Sequence, residues 1–342
     1  MRIGIIGYLN NSGLGVMIQT FLTRFEVNAH LVIPNSDKGT YMHMAKAKHN
    51  RLAKALYPPE EDVDWLIQNS DVIIMIENDF RSQLNVKAKK AGVRTVFLPM
   101  YEWFDHDSYK DYDVYVCTSK KTMEFVQFSN KVYLPWPIDT EVFKFKQRGA
   151  VNRTFVHNAG FAGMNWRKGS LEAVKAFSIT NRADIRLLFR SQFPVEKYPE
   201  DIQQILKNDK RIVVENRDFE NSWELYEYGD VAIYSARYDG QALVAEEFMA
   251  CGFPVLVTDA APMNEFSDNQ SMKIRVATSD TFKIRNNDIA LCICDIYNLA
   301  NKIEWCANTD LSEESRLNRL IIEAEYSWNV LHDKYLAILQ GK

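Results

Sequence analysis

Short apolar runs separated by helix-spaced stretches recur along the whole chain. Ile3-Gly4-Ile5-Ile6 is the first, and Ala29 to Ile33, Asp71 to Ile76, Val93 to Leu98 and Tyr115 to Cys117 repeat it. Runs that are apolar at consecutive positions suit strands covered on both faces of a parallel sheet. Between them, Val16, Ile18, Phe21 and Leu22 recur at helical spacing, and Lys46 to Leu56 reads as a helical tract. The prolines of Leu134-Pro135-Trp136-Pro137-Ile138 leave no room for regular helix from Leu134 to Phe143, which predicts the domain boundary. The rhythm then restarts with strands at Thr154 to Val156, Arg186 to Phe189, Ile212 to Val214 and Asp230 to Tyr234, and a helix through Leu171, Val174 and Phe177. Pro262 to Phe266 predicts a short helix, Cys292 to Cys294 alternates like a strand, and Tyr326, Ser327, Trp328, Leu331 and Tyr335 mark a last helix. This alternation predicts an α/β chain with a parallel sheet covered by helices on both faces.

Composition changes that picture little. The chain has 342 residues, 46% hydrophobic and 25% charged, enough for two soluble domains. Its net charge of -4 divides unevenly: residues 1 to 150 carry 19 Lys plus Arg against 17 Asp plus Glu, and the rest 22 against 28. Five cysteines in apolar segments read as reduced core thiols, and Cys292 and Cys294 have no second pair nearby to complete a zinc site. The first residues read as a strand, not a leader, and no apolar run reaches the length of a membrane span. The expected location is cytoplasmic, with peripheral contact at a membrane surface kept open by a basic tract.

That tract, residues 38–54, holds five Lys or Arg. It reads as a solvated helix face or as an attractor for an anionic acceptor, a nucleic acid backbone or acidic lipid surface. Gly7, Gly13 and Gly15 lack the spacing of a dinucleotide fingerprint, which disfavours an NAD enzyme. Glu102 and His106 follow an expected strand, where a parallel sheet gathers ligands, and are candidates to position an acceptor hydroxyl. The triplets Asp62-Val63-Asp64, Asp105-His106-Asp107 and Asp111-Tyr112-Asp113 follow no buried strand directly and read as surface charge, so no metal is expected.

The most informative stretch runs from Asp239 to Asp259. Asp239 and Gly240 offer a helix cap, and a helix expected from about Gln241 carries Leu243, Val244, Phe248 and Cys251 on one apolar face. Gly252 ends it, and Val255-Leu256-Val257 reads as a buried strand. The start of such a helix is a ready phosphate site, and Glu247, one turn beyond Leu243, can reach a hydroxyl of whatever carries the phosphate. As isolated carboxylates, Asp239 reads as a cap and Glu246 with Glu247 as a solvated face.

The same stretch resembles the acidic-x7-Glu motif of retaining glycosyltransferases with the GT-B fold, of the group 1 or family 4-like type. Glu247, Met249, Ala250, Cys251, Gly252, Pro254 and Val255 match its second half; Asp239 stands where Glu is usual, and Gln241-Ala242 replace Phe-Gly. Pro135, Asp139 and Phe143 are similar to the family's interdomain wording, and Lys168-Gly169 to the Lys-Gly that ends its diphosphate-binding loop. Gly163 occupies the place of that loop's Arg, so Arg167 or Arg237 would supply the second positive charge.

The resemblance implies two Rossmann-like domains facing each other across a cleft: residues 1–145 for the acceptor, 146–325 for the nucleotide-sugar donor, and 326–342 as a helix returning to the first domain. It implies Lys168, Asp239 and Glu247 as catalytic residues, Glu247 on the donor's ribose and Asp239 on its sugar hydroxyls. Gly13, Gly15, Arg167, Arg237, Gly240, Gln241, Ala242 and Leu243 would complete the donor site. The implied reaction is metal-independent transfer, with retention, from a nucleotide-diphosphate sugar, UDP or GDP being favoured, to an acceptor hydroxyl, with no cofactor. The acceptor stays open among a saccharide, a lipid-linked glycan, a small metabolite, a protein and a modified nucleic acid. The alternatives are a nucleotide-sugar epimerase of the same fold and a degenerate nucleotide-sugar-binding module; a phosphorylase would need a cofactor lysine site that the sequence does not display.

Overall fold

The computed structural model describes residues 1–160, 167–217 and 219–342. They form two compact units, Met1–Pro135 with Leu331–Lys342, and Trp136–Val330. In the first unit, β1 (Ile3–Tyr8), β2 (Val27–Ile33), β3 (His49–Leu52), β4 (Val72–Ile76), β5 (Arg94–Leu98), β6 (Val114–Cys117) and β7 (Lys131–Tyr133) lie in the order β3-β2-β1-β4-β5-β6-β7. Every pairing is parallel. Helices α1 (Gly13–Arg24), α2 (Glu60–Gln68), α3 (Leu84–Lys90) and α4 (Lys120–Phe125) belong to this unit, and its core joins Leu31, Ile73, Met75 and Phe97 of the sheet to Val63, Leu66 and Leu84 of the helices. The strand order reverses between β1 and β4, the place where open parallel sheets bind ligands. There the loop after β4 puts four non-glycine residues, Glu77, Phe80, Arg81 and Gln83, at positive φ.

Lys46 to Leu56 forms no helix. His49–Leu52 instead pairs in parallel along the outer edge of β2, Ala29 opposite His49 through Val32 opposite Leu52. Only Ala47 and Ala53 of this tract are buried, too little apolar surface to hold a helix against the sheet, whereas the edge of β2 offers a complete row of hydrogen bonds. Asp62, expected on the surface, is fully buried. It accepts the Lys54 backbone N–H at 3.0 Å and lies 2.8 Å from the Arg51 guanidinium, and Lys54 pairs with Glu61, so two of the tract's cations are engaged within the unit.

The second unit carries a sheet of β8 (Thr154–Gly160), β9 (Arg186–Ser191), β10 (Ile212–Glu215), β11 (Val231–Tyr234), β12 (Val255–Thr258) and β13 (Lys273–Ile274), in the order β10-β9-β8-β11-β12-β13 and again parallel. Its helices are α5 (Ser170–Ser178), α6 (Glu200–Asn208), α7 (Leu243–Ala250), α8 (Ile296–Asn308) and α9 (Ser312–Ile321). Phe155, Leu187, Phe189, Ile233 and Leu256 of the sheet pack with Val174, Phe177, Leu299 and Ile303. The reversal falls between β8 and β11, so the loops that leave these two strands open beside one another.

Three local expectations differ. Pro262 to Phe266 is a run of turns rather than a helix, because one isolated turn cannot repay the entropy of nucleation. Ser327 is extended, with ψ 154°, and separates a wide turn at Ile322–Tyr326 from α10 (Trp328–Gln340); the last helix therefore begins only at Trp328. An antiparallel hairpin of β14 (Val276–Ile284) and β15 (Asn287–Cys294) extends the strand read from the cysteines alone. Among the described residues no helix is long and apolar enough to cross a membrane.

Candidate active site

The loops after β8 and β11 are bound to each other by close backbone contacts. Gly169 sits at φ 64°, where a Cβ would come within 1.7 Å of the Ser235 carbonyl oxygen, so only glycine fits there. Ser235 Oγ donates to the Gly169 carbonyl at 2.8 Å, and the Arg237 N–H donates to the Arg167 carbonyl at 2.8 Å. Buried His157, with Nδ1 3.0 Å from the Ile233 carbonyl and Nε2 2.9 Å from Ser170 Oγ, ties the start of α5 to the same strands. Arg167 and Lys168 are thereby presented to the residues that follow β11.

Both cations converge on Asp239. Arg167 Nη2 lies 2.5 Å from Oδ1, and Lys168 Nζ and the Tyr234 hydroxyl both donate to Oδ2. Asp239 is only 7% exposed. Burial would raise its pKa, but the charges of Arg167 and Lys168 and the hydrogen bonds from Lys168 and Tyr234 outweigh that and hold the carboxyl far below the usual carboxylate range. Asp239 caps no helix: α7 starts at Leu243, two residues later than expected, and its N-cap Ala242, at φ 71°, provides no side-chain hydrogen bond. Its oxygen accepts from the adjacent Gly240 N–H at 2.9 Å instead.

The two glutamates of α7 are buried rather than solvated, Glu246 2% and Glu247 6% exposed. Leu243 and Val244, expected in the core, are only half-buried, because the packed side of α7 is the one with Ala245, Phe248 and Met249. Glu247 accepts a hydrogen bond from the Tyr226 hydroxyl. Burial pushes its carboxyl up to about 7, against the opposing pull of that bond and of Lys168. Tyr226 is held in turn by Arg148, whose Nη2 donates to the Tyr226 carbonyl at 2.6 Å and whose Nε reaches the Cys251 carbonyl at 3.3 Å. Burial pushes the Glu246 carboxyl well above its ordinary range.

The other candidates have different neighbours. Arg237 turns to Glu172 on α5, with Nη2 2.5 Å from Oε1, and Gly163 falls outside the described residues. In the first unit, a Cβ on Gly15 would meet the Asn10 carbonyl oxygen at 2.1 Å, while nothing lies within 4 Å of one on Gly13. Ser12 caps α1 there through its side chain, which accepts from the Gly15 N–H. Glu102 is fully buried, and His106 packs against Phe104, Phe125 and Phe128 with Nε2 accepting the Gln127 N–H at 3.3 Å. Sequence patterns gave no hint of Tyr226, Arg148 or Glu246, since their partners are distant or their burial is tertiary. Tyr234, at the carboxyl end of an expected strand, carried the positional signal common to such ligand sites.

Residues 156–292, which contain the whole Arg167–Asp239–Glu247 constellation, match the family model of glycosyl transferases group 1. The match covers the second unit's site and less than half of the chain. The fold agrees over the full length: a glycosyltransferase from Rickettsia africae superposes with a TM-score of 0.71 at 14% identity, covering 99% of this chain and 98% of that one. Anabaena HepE in complex with UDP-glucose gives 0.76 at 12% identity, covering 100% of both chains. Sucrose-phosphate synthase from Thermosynechococcus elongatus gives 0.70 at 11%, again covering 100% of both. No match was found among functionally curated proteins. The family match and the shared GT-B fold agree with the architecture expected from the sequence.

Proposed function

We propose that the chain is a group 1 glycosyltransferase that takes a sugar from a nucleotide-diphosphate sugar, with UDP the favoured nucleotide, and places it on an acceptor hydroxyl with retention of configuration and without a metal ion. The observation that carries the proposal is the convergence of Arg167 and Lys168 at Asp239, directly before a helix with no side-chain cap and eight residues ahead of buried Glu247. Two cations and an open helix start suit a diphosphate. HepE, solved with UDP-glucose, supports UDP as the first nucleotide to try.

In this reading Glu247 accepts from the donor's ribose hydroxyls and Asp239 from its sugar. As the bond from the anomeric carbon to phosphate breaks, Arg167, Lys168 and the start of α7 stabilise the negative charge that gathers on the diphosphate. The acceptor oxygen bonds to the same face of the anomeric carbon, and its proton passes to the departing phosphate oxygen, so no protein base is required. The donor contacts of Gly240, Gln241, Ala242 and Leu243 belong to this proposal, as do those of Gly13 and Gly15 and acceptor roles for Glu102 and His106. We assign the enzyme to the cytoplasm, where its buried thiols stay reduced.

The test is a reaction of the purified protein with sugar nucleotides and a mixture of saccharide and lipid-linked acceptors, with and without a chelator. Release of nucleoside diphosphate that requires acceptor and survives chelation, with a product whose anomeric configuration by NMR matches the donor's, is expected. An inverted product would overturn retention, and loss of turnover on chelation would overturn metal independence.

A further inference from the structure

Beside the Asp239 cluster stands a second, separate polar pair. Gln241 is 6% exposed and Glu246 2%. The Gln241 amide donates to Glu246 Oε2 at 3.3 Å, and Gln241 Oε1 is buried with no hydrogen-bond partner among the described residues. An unsatisfied buried carbonyl is costly and is seldom retained without a use. The charges acting on Glu246 come from Glu247, Glu265 and Asp239, all acids. Burial, with those like charges adding to it, raises its carboxyl well above the ordinary range and favours the protonated acid. The pair thus offers one O–H donor and one carbonyl acceptor side by side.

We infer that Gln241 and Glu246 form a reading site for one hydroxyl of the donor's sugar, which donates to Gln241 Oε1 and hydrogen-bonds to the Glu246 carboxyl group. The inference rests on the proposed nucleotide-sugar reaction and deepens it. A hydroxyl is the group that satisfies both partners at once, since it gives and takes a hydrogen bond. A phosphate has no proton to give the Gln241 oxygen and would meet the acidic surroundings of Glu246, whereas the cations stand at Asp239. Both residues flank Asp239 and α7 within the same stretch of chain, so the sugar is the part of the donor they would meet. The pair makes a site selective because a sugar lacking that hydroxyl leaves two buried polar groups unsatisfied.

The experiment is calorimetric titration of UDP, GDP and their glucose, galactose and N-acetylglucosamine conjugates into the wild type and the variants Gln241→Leu, Glu246→Leu and Glu246→Gln. The wild type is expected to bind one conjugate more tightly than its bare nucleotide. Gln241→Leu and Glu246→Leu should each erase roughly tenfold of affinity for that conjugate, a larger loss than either causes for the bare nucleotide. Glu246→Gln keeps a neutral donor and an acceptor at the same place and should bind like the wild type. Unchanged conjugate affinity in both leucine variants, with bare nucleotide still bound, overturns the hydroxyl site alone. A Glu246→Gln variant as weak as Glu246→Leu overturns the neutral-acid role. If no nucleotide binds the wild type, the donor-site reading falls, and this inference with it.

Discussion

Glu247 is where the proposed role and the stability of the fold oppose each other. Its carboxyl, with an ordinary value of 4.5, is pushed up to about 7, first by burial and against the Tyr226 hydrogen bond and the Lys168 charge. Between those two pH values the folded protein holds a proton that the unfolded chain releases. Stability from this group is therefore complete below about pH 4.5 and is lost as pH rises through about 7. The difference, 7 minus 4.5, at about 1.4 kcal/mol per unit, comes to about 3 kcal/mol. Glu247→Gln keeps the size and the acceptor for Tyr226 but removes the charge. The variant should match the wild type within about 1 kcal/mol at pH 5 and exceed it by about 3 kcal/mol at pH 8. For a unit spanning 136–330 this is a rise in Tm of roughly 6–12 °C at pH 8. Thermal unfolding of both proteins from pH 5 to pH 8 reads it directly. A stability difference that does not change with pH would refute the reasoning, because it would mean that Glu247 titrates alike in the folded and unfolded chains.

Other substitutions test the remaining parts of the site. Lys168→Ala and Arg167→Ala should each weaken UDP binding by about tenfold or more through loss of a charge-assisted bond, read by calorimetry. Asp239→Asn releases both cations from their present anion, so UDP should bind at least as tightly while sugar transfer falls by about a hundredfold; parallel loss of binding and turnover would contradict its assigned role. Tyr226→Phe removes a hydrogen bond that favours ionised Glu247, so the midpoint of the pH dependence of UDP binding should move upward, and an unchanged midpoint would show that Tyr226 only packs.

The alternation of apolar runs was enough to place most central strands of both sheets, because a strand buried on two faces leaves an unbroken hydrophobic signature. The edge strand His49–Leu52 was not legible: its side chains are largely solvated, and its conformation is imposed by the free edge of β2. The hairpin Val276–Ile284 and Asn287–Cys294 escaped for a similar reason, since most of its first strand is exposed and carries little pattern. At the candidate site, spacing and resemblance to a family motif singled out Lys168, Asp239 and Glu247, and the structure sets Lys168 against Asp239 and buries Glu247 on α7. What spacing could not reveal was charge state. Glu246 and Glu247 lie in a sequence that permits a solvated helix face, and only the packing of α7 shows that both are buried. Arg237 stood near enough in sequence to serve the cluster, yet the closer anion for its side chain is Glu172 on α5.

The central claim is that the second unit binds a nucleoside diphosphate through Lys168 and Glu247. Thermal unfolding of the full chain with UDP, set beside Lys168→Ala and Glu247→Ala, addresses it most directly. At about a hundred times its dissociation constant, UDP should add roughly 2.7 kcal/mol of stability to the wild type and little to either variant. A wild type that gains nothing from UDP, GDP or ADP at millimolar concentration, or variants that gain as much as the wild type, would contradict it.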